Sequence, residues 1–270
     1  MASLSITRAW NETTRFFARE FQLVLPIAFL LIALPAAALQ WAMPVMEPGP
    51  PNLERWLEEV RPFLLFIPPI AMVGMIGSIA ITYLAIRPGA SVGEGLTVGL
   101  RRFFFLFLSG LLVALAMAAA LLPIILLAAS VAGGDPGAGA VRLVPLIFLV
   151  VTIALFVRLL LTTPVAAAEP VGPVAILTRS WTLTRGRFWK LLGFVILFGI
   201  AAVVALLVVS IFLGIVMTLI SGPPLPGSGA SFAVMLLSAA FQAVVSTLFA
   251  IMMGRIYAQL NGTDNAEIFA

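Results

Sequence analysis

RLLLTTPVAAAEPVGPVAILTRSWTLTRGRFWK, residues 158–190, holds five of the chain's fifteen Lys and Arg residues beside Glu169, three prolines, Trp181 and Trp189. Long apolar runs lie on both sides of it. Charge, proline and tryptophan gathered between such runs mark a membrane-surface segment that joins transmembrane helices. The rest of the chain agrees: of 270 residues 62% are hydrophobic and 10% charged, and the mean hydropathy is +1.18. A soluble domain of that length cannot bury so much apolar side chain.

A hydrocarbon core about 30 Å thick, crossed at about 1.5 Å per residue, takes roughly 20 residues per helix. Six runs qualify, over residues 21–41, 62–86, 103–129, 144–163, 191–220 and 232–256. Period-2 alternation is absent, which argues against a transmembrane barrel and leaves helices to satisfy the backbone in lipid. The expected fold is therefore all-α: a polytopic integral membrane protein with six transmembrane helices plus cytoplasmic interfacial amphipathic helices, in a single membrane domain over residues 1–270.

Cysteine and histidine are both absent. Their absence removes thiol nucleophiles, His-based triads and the usual zinc and haem ligands, so no metal and no cofactor is expected. The pI near 10.6 resembles that of a nucleic-acid binder, but the net charge is only +4 and fourteen of the fifteen basic residues are Arg flanking apolar runs. Topology explains them, and nucleic acid is not an expected partner.

Within residues 4–20, Ile6, Trp10, Thr13 and Phe17 share one helical face and Arg8, Glu12, Arg15 and Arg19 the other, the pattern of an interfacial helix. Ala36 and Ala38 offer a small-residue cleavage pattern, but the region before them is too long and aromatic for a signal peptide and five spans follow, so retention is expected. Pro26 and Pro35 should bend the first span. Asn52 is placed to cap a short acidic helix around Trp56. Gly74 and Ser78, four residues apart, would let a neighbouring helix approach closely. The turn-rich stretches 132–139 and 221–229 read as connections.

Orientation follows from charge. Residues 1–20, 87–102, 158–190 and 255–270 hold twelve basic residues, whereas the alternate segments hold only Arg55, Arg61 and Arg142. The positive-inside rule then places both termini in the cytoplasm.

An internal repeat is also visible. TRAWNETTRFF at residues 7–17 and TRSWTLTRGRFW at 178–189 agree at Thr, Arg, Trp, Arg and Phe with one inserted residue, and LRRFF at 100–104 is a weaker third copy. Arg15, Arg102 and Arg187 are separated by 87 and 85 residues, which suggests three units of a surface segment and two spans, over 4–90, 91–172 and 173–262. Generic Arg and aromatic anchoring is the competing explanation.

In the third copy, Val174, Leu177, Trp181, Thr184 and Phe188 fall in one helical sector, with Arg179, Ser180, Arg187 and Lys190 opposite. The segment should lie in the headgroup plane, where each Lys or Arg near an anionic leaflet contributes about 1 kcal/mol. Arg158, Arg179, Trp181, Arg185, Arg187, Arg8, Trp10 and Arg15 are the candidate lipid-contact residues. Glu169 needs a partner, because an unpaired carboxylate at the membrane boundary costs a few kcal/mol. Arg158 and Arg179 are the candidates, and Pro164 argues against the continuous helix that would present Arg158 to it. A structural clamp between the fourth span and the surface helix is the expected role, with a substrate or proton site as the other reading.

The stretch 158–190 resembles the signature region of the glycerophosphoryl diester phosphodiesterase membrane domain family. Arg158, Pro164, Glu169, Gly172, Pro173, Ser180, Trp181, Thr184, Arg185, Gly186 and Phe188 occupy its positions, and RIYAQLNG at 255–262 is similar to that family's end. The resemblance implies a membrane domain without the hydrolase, whose chemistry belongs to a separate barrel that this sequence lacks, and a lipid-related role at the bacterial inner membrane.

The function expected is that of a non-catalytic membrane protein associated with lipid or acting as a scaffold, with anionic phospholipid headgroups at the cytoplasmic face and a protein partner as its contacts. The alternative is a transporter or channel for an apolar or lipidic substrate, since the spans hold too little charge for coupled transport of polar ones. An intramembrane enzyme is not expected, because no paired carboxylates fall within a span; Asp135, Glu54, Glu58 and Glu59 lie in the loops.

Overall fold

The computed structural model describes residues 4–43, 53–131, 139–222 and 228–262. Among them every regular element is helical. The chain begins with α1 (Ile6–Ala28), a π-helical turn over Phe29–Ala33 and α2 (Leu34–Ala42). Next come α3 (Leu53–Leu64), α4 (Ile67–Ile86), α5 (Val92–Val131) and α6 (Gly139–Arg158). Last are α7 (Thr162–Ala168), α8 (Pro173–Thr184), α9 (Phe188–Ser221) and α10 (Gly229–Asn261). Six stretches are long and apolar enough to cross a membrane: Ile6–Gln40, Ile67–Ile86, Val92–Ile124, Val144–Ala168, Phe188–Ile220 and Gly229–Asn261. This is a multi-pass membrane protein. The expected cap Asn52, residues 44–52 of the first outer loop and Asp135 lie outside the described residues, and the short acidic helix expected around Trp56 is α3.

Residues 4–20 do not form a separate helix. Ser5 caps α1 by accepting from the Arg8 amide at 3.3 Å, and the helix runs unbroken into the first span. The face turned inward holds Ala9, Thr13 and Phe16, with Trp10 exposed. Pro26 and Pro35, expected to bend that span, both lie within a continuous run of helical turns. Pro35 has no N–H and its ring crowds the carbonyl four residues back, and the wider turn at Phe29–Ala33 absorbs this by bonding the Leu34 amide to the Phe29 carbonyl.

The middle surface segment is likewise continuous with its span. Ser91 and Glu94 form a reciprocal capping box, with the Ser91 amide donating to Glu94 Oε2 at 3.0 Å and the Glu94 amide donating to Ser91 Oγ at 3.2 Å. From there α5 runs 40 residues, about 60 Å at the usual rise and twice the hydrocarbon thickness. Part of it must stand outside the bilayer.

Helices α4 and α10 are the centre of the bundle. One face of α10 is buried from Ala239 to Gln259 against α1 and α4. Close approach on α4 does not use the Gly74 and Ser78 pair, which lines a crevice instead. It occurs at Gly77, where a Cβ would stand 2.9 Å from Leu31 Cβ, and opposite Gly99 of α5, where a Cβ would stand 2.6 Å from the Ile76 carbonyl oxygen. Without a hydrophobic force between helices in lipid, such backbone contact supplies the packing attraction that holds them. Helix α9 is peripheral: only 6% of its apolar window is buried.

Candidate functional site

The fourth span is broken. α6 ends at Arg158, Leu159–Leu161 form a turn, and α7 resumes at Thr162 with Pro164 in its first turn, where a missing N–H costs nothing. Thr162 bonds back to Leu159, so the Arg158 carbonyl loses its helical donor. The Ser180 hydroxyl of α8 replaces it at 2.9 Å, and the Thr184 hydroxyl is within reach at 3.2 Å while also lying 3.0 Å from the Ser180 carbonyl and 3.1 Å from that of Trp181.

This bond corrects the expected geometry of the 174–190 segment. Ile176, Ser180, Leu183 and Thr184 are the buried face of α8, while Val174 and Trp181 are turned outward. Ser180 is on the inner face and not on the charged one. Phe188 belongs to α9, because Arg185–Arg187 break the helix with Gly186 at φ +78°, a conformation that glycine adopts without strain. The one residue inserted in this copy relative to TRAWNETTRFF is thus accompanied by a turn where α1 has continuous helix.

Arg158 does not pair with Glu169. Its guanidinium lies over the rings of Trp181 at 5.1 Å and Phe188 at 5.5 Å, and its buried Nη1 has no hydrogen-bond partner among the described residues. Cation–π contacts of this kind contribute about 0.5–2 kcal/mol each, more when desolvated. The cation is therefore held by aromatic faces with donor capacity left over.

Glu169 pairs with Arg179. Its Oε1 accepts from Arg179 Nε at 3.1 Å and from the Tyr257 hydroxyl at 2.7 Å. Arg179 Nη2 donates to Asn261 Oδ1 at 2.6 Å, and Asn261 Nδ2 donates to the Tyr257 oxygen at 3.2 Å. The four side chains form a closed ring that ties the end of α7, α8 and the last turn of α10. The clamp expected of Glu169 joins three helices. Tyr257 and Asn261 were not among the residues singled out in the sequence; their signal is a phenol and an amide four apart in the final turn of an apolar helix.

The remaining candidates do not converge on this ring. Arg8 pairs with Glu12 at 2.7 Å on α1, Trp10 and Arg15 are exposed on the same helix, and Arg185 is exposed at the end of α8. Arg187 is half-buried at the start of α9. The first segment nevertheless meets the same end of α10, through the Ser5 amide to Gln259 Oε1 at 3.2 Å and Arg255 over the Phe16 ring at 5.4 Å.

At the turn that follows Arg158, where Leu159 and Leu160 contribute to the lining, a crevice of about 600 Å³ opens between α4, α5, α6 and α7. Its walls are mostly apolar, with the hydroxyl residues Ser78, Ser109, Thr152, Thr162 and Thr163 among them. Leu177 lines it, one turn of α8 before Trp181. Arg158 itself is not part of the lining, which takes in the two residues that follow it. Among the described residues no group of three or more carboxylates is placed to hold a metal ion.

Compared with known proteins, the family described as Domain of unknown function (DUF7847) matches residues 4–260. No curated protein and no solved structure matches the chain.

Proposed function

The chain belongs to this family, whose description carries no activity, and from the site itself we propose that it is a non-catalytic lipid-binding membrane protein. The crevice takes an acyl chain and the Arg158 guanidinium meets an anionic headgroup. The carrying observation is the aromatic-caged Arg158, with its free Nη1, followed in the chain by Leu159 and Leu160, which line the slot together with Leu177. A guanidinium with unused donors suits phosphate, and a slot of this size falls within the range of about 300–1,000 Å³ typical of small-molecule sites. On this reading the membrane is the bacterial inner membrane and the Arg-rich end faces the cytoplasm, in line with the charge asymmetry. The resemblance to the glycerophosphoryl diester phosphodiesterase membrane domain stands as a proposal beside it. So does the internal duplication, favoured by equal burial at aligned positions: Ala9 and Ser180 are both buried, Thr13 and Thr184 likewise, and Trp10 and Trp181 are both exposed.

Native mass spectrometry of protein extracted from its own membrane tests the reading. A phospholipid at fixed stoichiometry is expected, reduced by Arg158→Gln and by Gly110→Leu, which fills the crevice where a Cβ meets nothing within 4 Å. Absence of lipid, or lipid unaffected by both changes, would sink it. The broken fourth span favours a second reading, passage of an apolar or lipidic substrate, since discontinuous helices border substrate sites in transporters. Lipid that exchanges between leaflets of proteoliposomes only when the protein is present would support it.

A further inference from the structure

Between α2, α9 and α10 lies a second cavity, of about 540 Å³, that shares no lining residue with the crevice. Two amides, Gln40 and Gln242, and three hydroxyls, Ser210, Ser231 and Ser238, line it on an aliphatic background with no ionisable side chain. Ser231, Ser238 and Gln242 follow one another at spacings of seven and four, a single face of α10. The cavity is separate from the Glu169 ring: Gln242, its lining residue on α10 nearest in sequence to Tyr257, is 15 residues before it, about 22 Å along the helix.

Ser231 donates to the Ser228 carbonyl at 2.7 Å. Gln40, Ser210 and Gln242 are exposed and Ser238 half-buried, and their side chains have no hydrogen-bond partner among the described residues. Polar groups on membrane-spanning helices carry a desolvation cost unless something answers them. An acyl chain cannot, and an ion would find no charge to neutralise it. Amides and hydroxyls each donate and accept, as do the neighbouring hydroxyls of a sugar or polyol. We propose that the cavity between α2, α9 and α10 binds a neutral polyhydroxylated group, presented as a glycolipid headgroup or as a free solute. The site is independent of the lipid reading above.

The test uses the full chain in nanodiscs of phosphatidylglycerol, with and without glucosyl diacylglycerol, read by native mass spectrometry. A parallel arm reads saturation-transfer NMR to free methyl glucoside. Wild type is expected to retain one of these probes, the first identifying a membrane source and the second a soluble one. The double variant Gln40→Leu with Gln242→Leu should bind at least tenfold less. Ala36→Phe should do the same by occupying the cavity without removing any polar group, and it decides the matter if the double variant misfolds. Gly110→Leu in the crevice should change nothing. Binding of neither probe, binding that survives the cavity variants, or equal retention of phosphatidylglycerol at this site would overturn the proposal.

Discussion

Ser180 donates its hydroxyl to the main-chain carbonyl of Arg158 at 2.9 Å, across 22 residues of sequence, and Thr184 reaches the same oxygen one turn later. A turn that would otherwise leave a carbonyl bare inside the bundle is satisfied from a neighbouring helix. Ser180→Ala should lower stability by about 1 kcal/mol, the scale of such bonds in membrane proteins. Ser180→Ala with Thr184→Val should lose more than the two single changes together, because only then is the oxygen orphaned. Thermal unfolding in detergent measures both.

The Glu169 ring contains one ion pair and three hydrogen bonds of unlike worth. The Arg179 side chain is 43% exposed, so its ion pair is worth at most about 1 kcal/mol and should fade with added salt. Tyr257 is 2% exposed and its hydroxyl bond is shielded. Tyr257→Phe should therefore cost about 1 kcal/mol irrespective of salt. A double-mutant cycle with Glu169→Gln should give a coupling energy, and additive losses would mean that the ring does not act as a unit.

Gly99 is where α5 touches the backbone of α4. Gly99→Ala places a methyl 2.6 Å from the Ile76 carbonyl oxygen and should cost about 1–3 kcal/mol through overpacking. Gly193→Ala on α9, where a Cβ meets nothing within 4 Å, serves as its control. That change should be neutral or slightly stabilising, since alanine is the better helix former. Equal effects in unfolding assays would contradict the packing described here.

Orientation can be read directly because the chain has no cysteine. A membrane-impermeant thiol reagent applied to intact cells should label a single cysteine placed at position 56 and leave one at position 181 untouched. The opposite pattern would invert the topology that the arginine distribution implies.

The six spans were legible because each is a run of apolar residues at least as long as the bilayer is thick, a property local to the chain. Glu169 was legible as a group in need of a partner, and Arg179 as one of two. The inner face of α8 was misread because Ser180 and Thr184 look polar by themselves; their acceptor is a carbonyl freed by a break 22 and 26 residues away. Tyr257 and Asn261 were missed for the same reason, being ordinary at a helix end until α7 and α8 are placed beside them. Gln40, Ser210 and Gln242 are scattered over three spans, and no periodicity relates them. Residues 4–20 were expected to form an interfacial helix because amphipathicity does not show where a helix ends, and α1 runs on from them into the first span.

The π turn at Phe29–Ala33 sets an angle as well as relieving a proline. Each residue of an α-helix advances by about 100°, so removing one residue here would leave hydropathy and span length nearly intact while rotating all that follows by that amount. Gln40 and Ala36 would swing away from the cavity they line, and Pro35 would return to a regular ladder and its clash. Angular phase is thus written into the first span as a residue count, and a single-residue deletion in this stretch would erase it without altering any hydropathy profile.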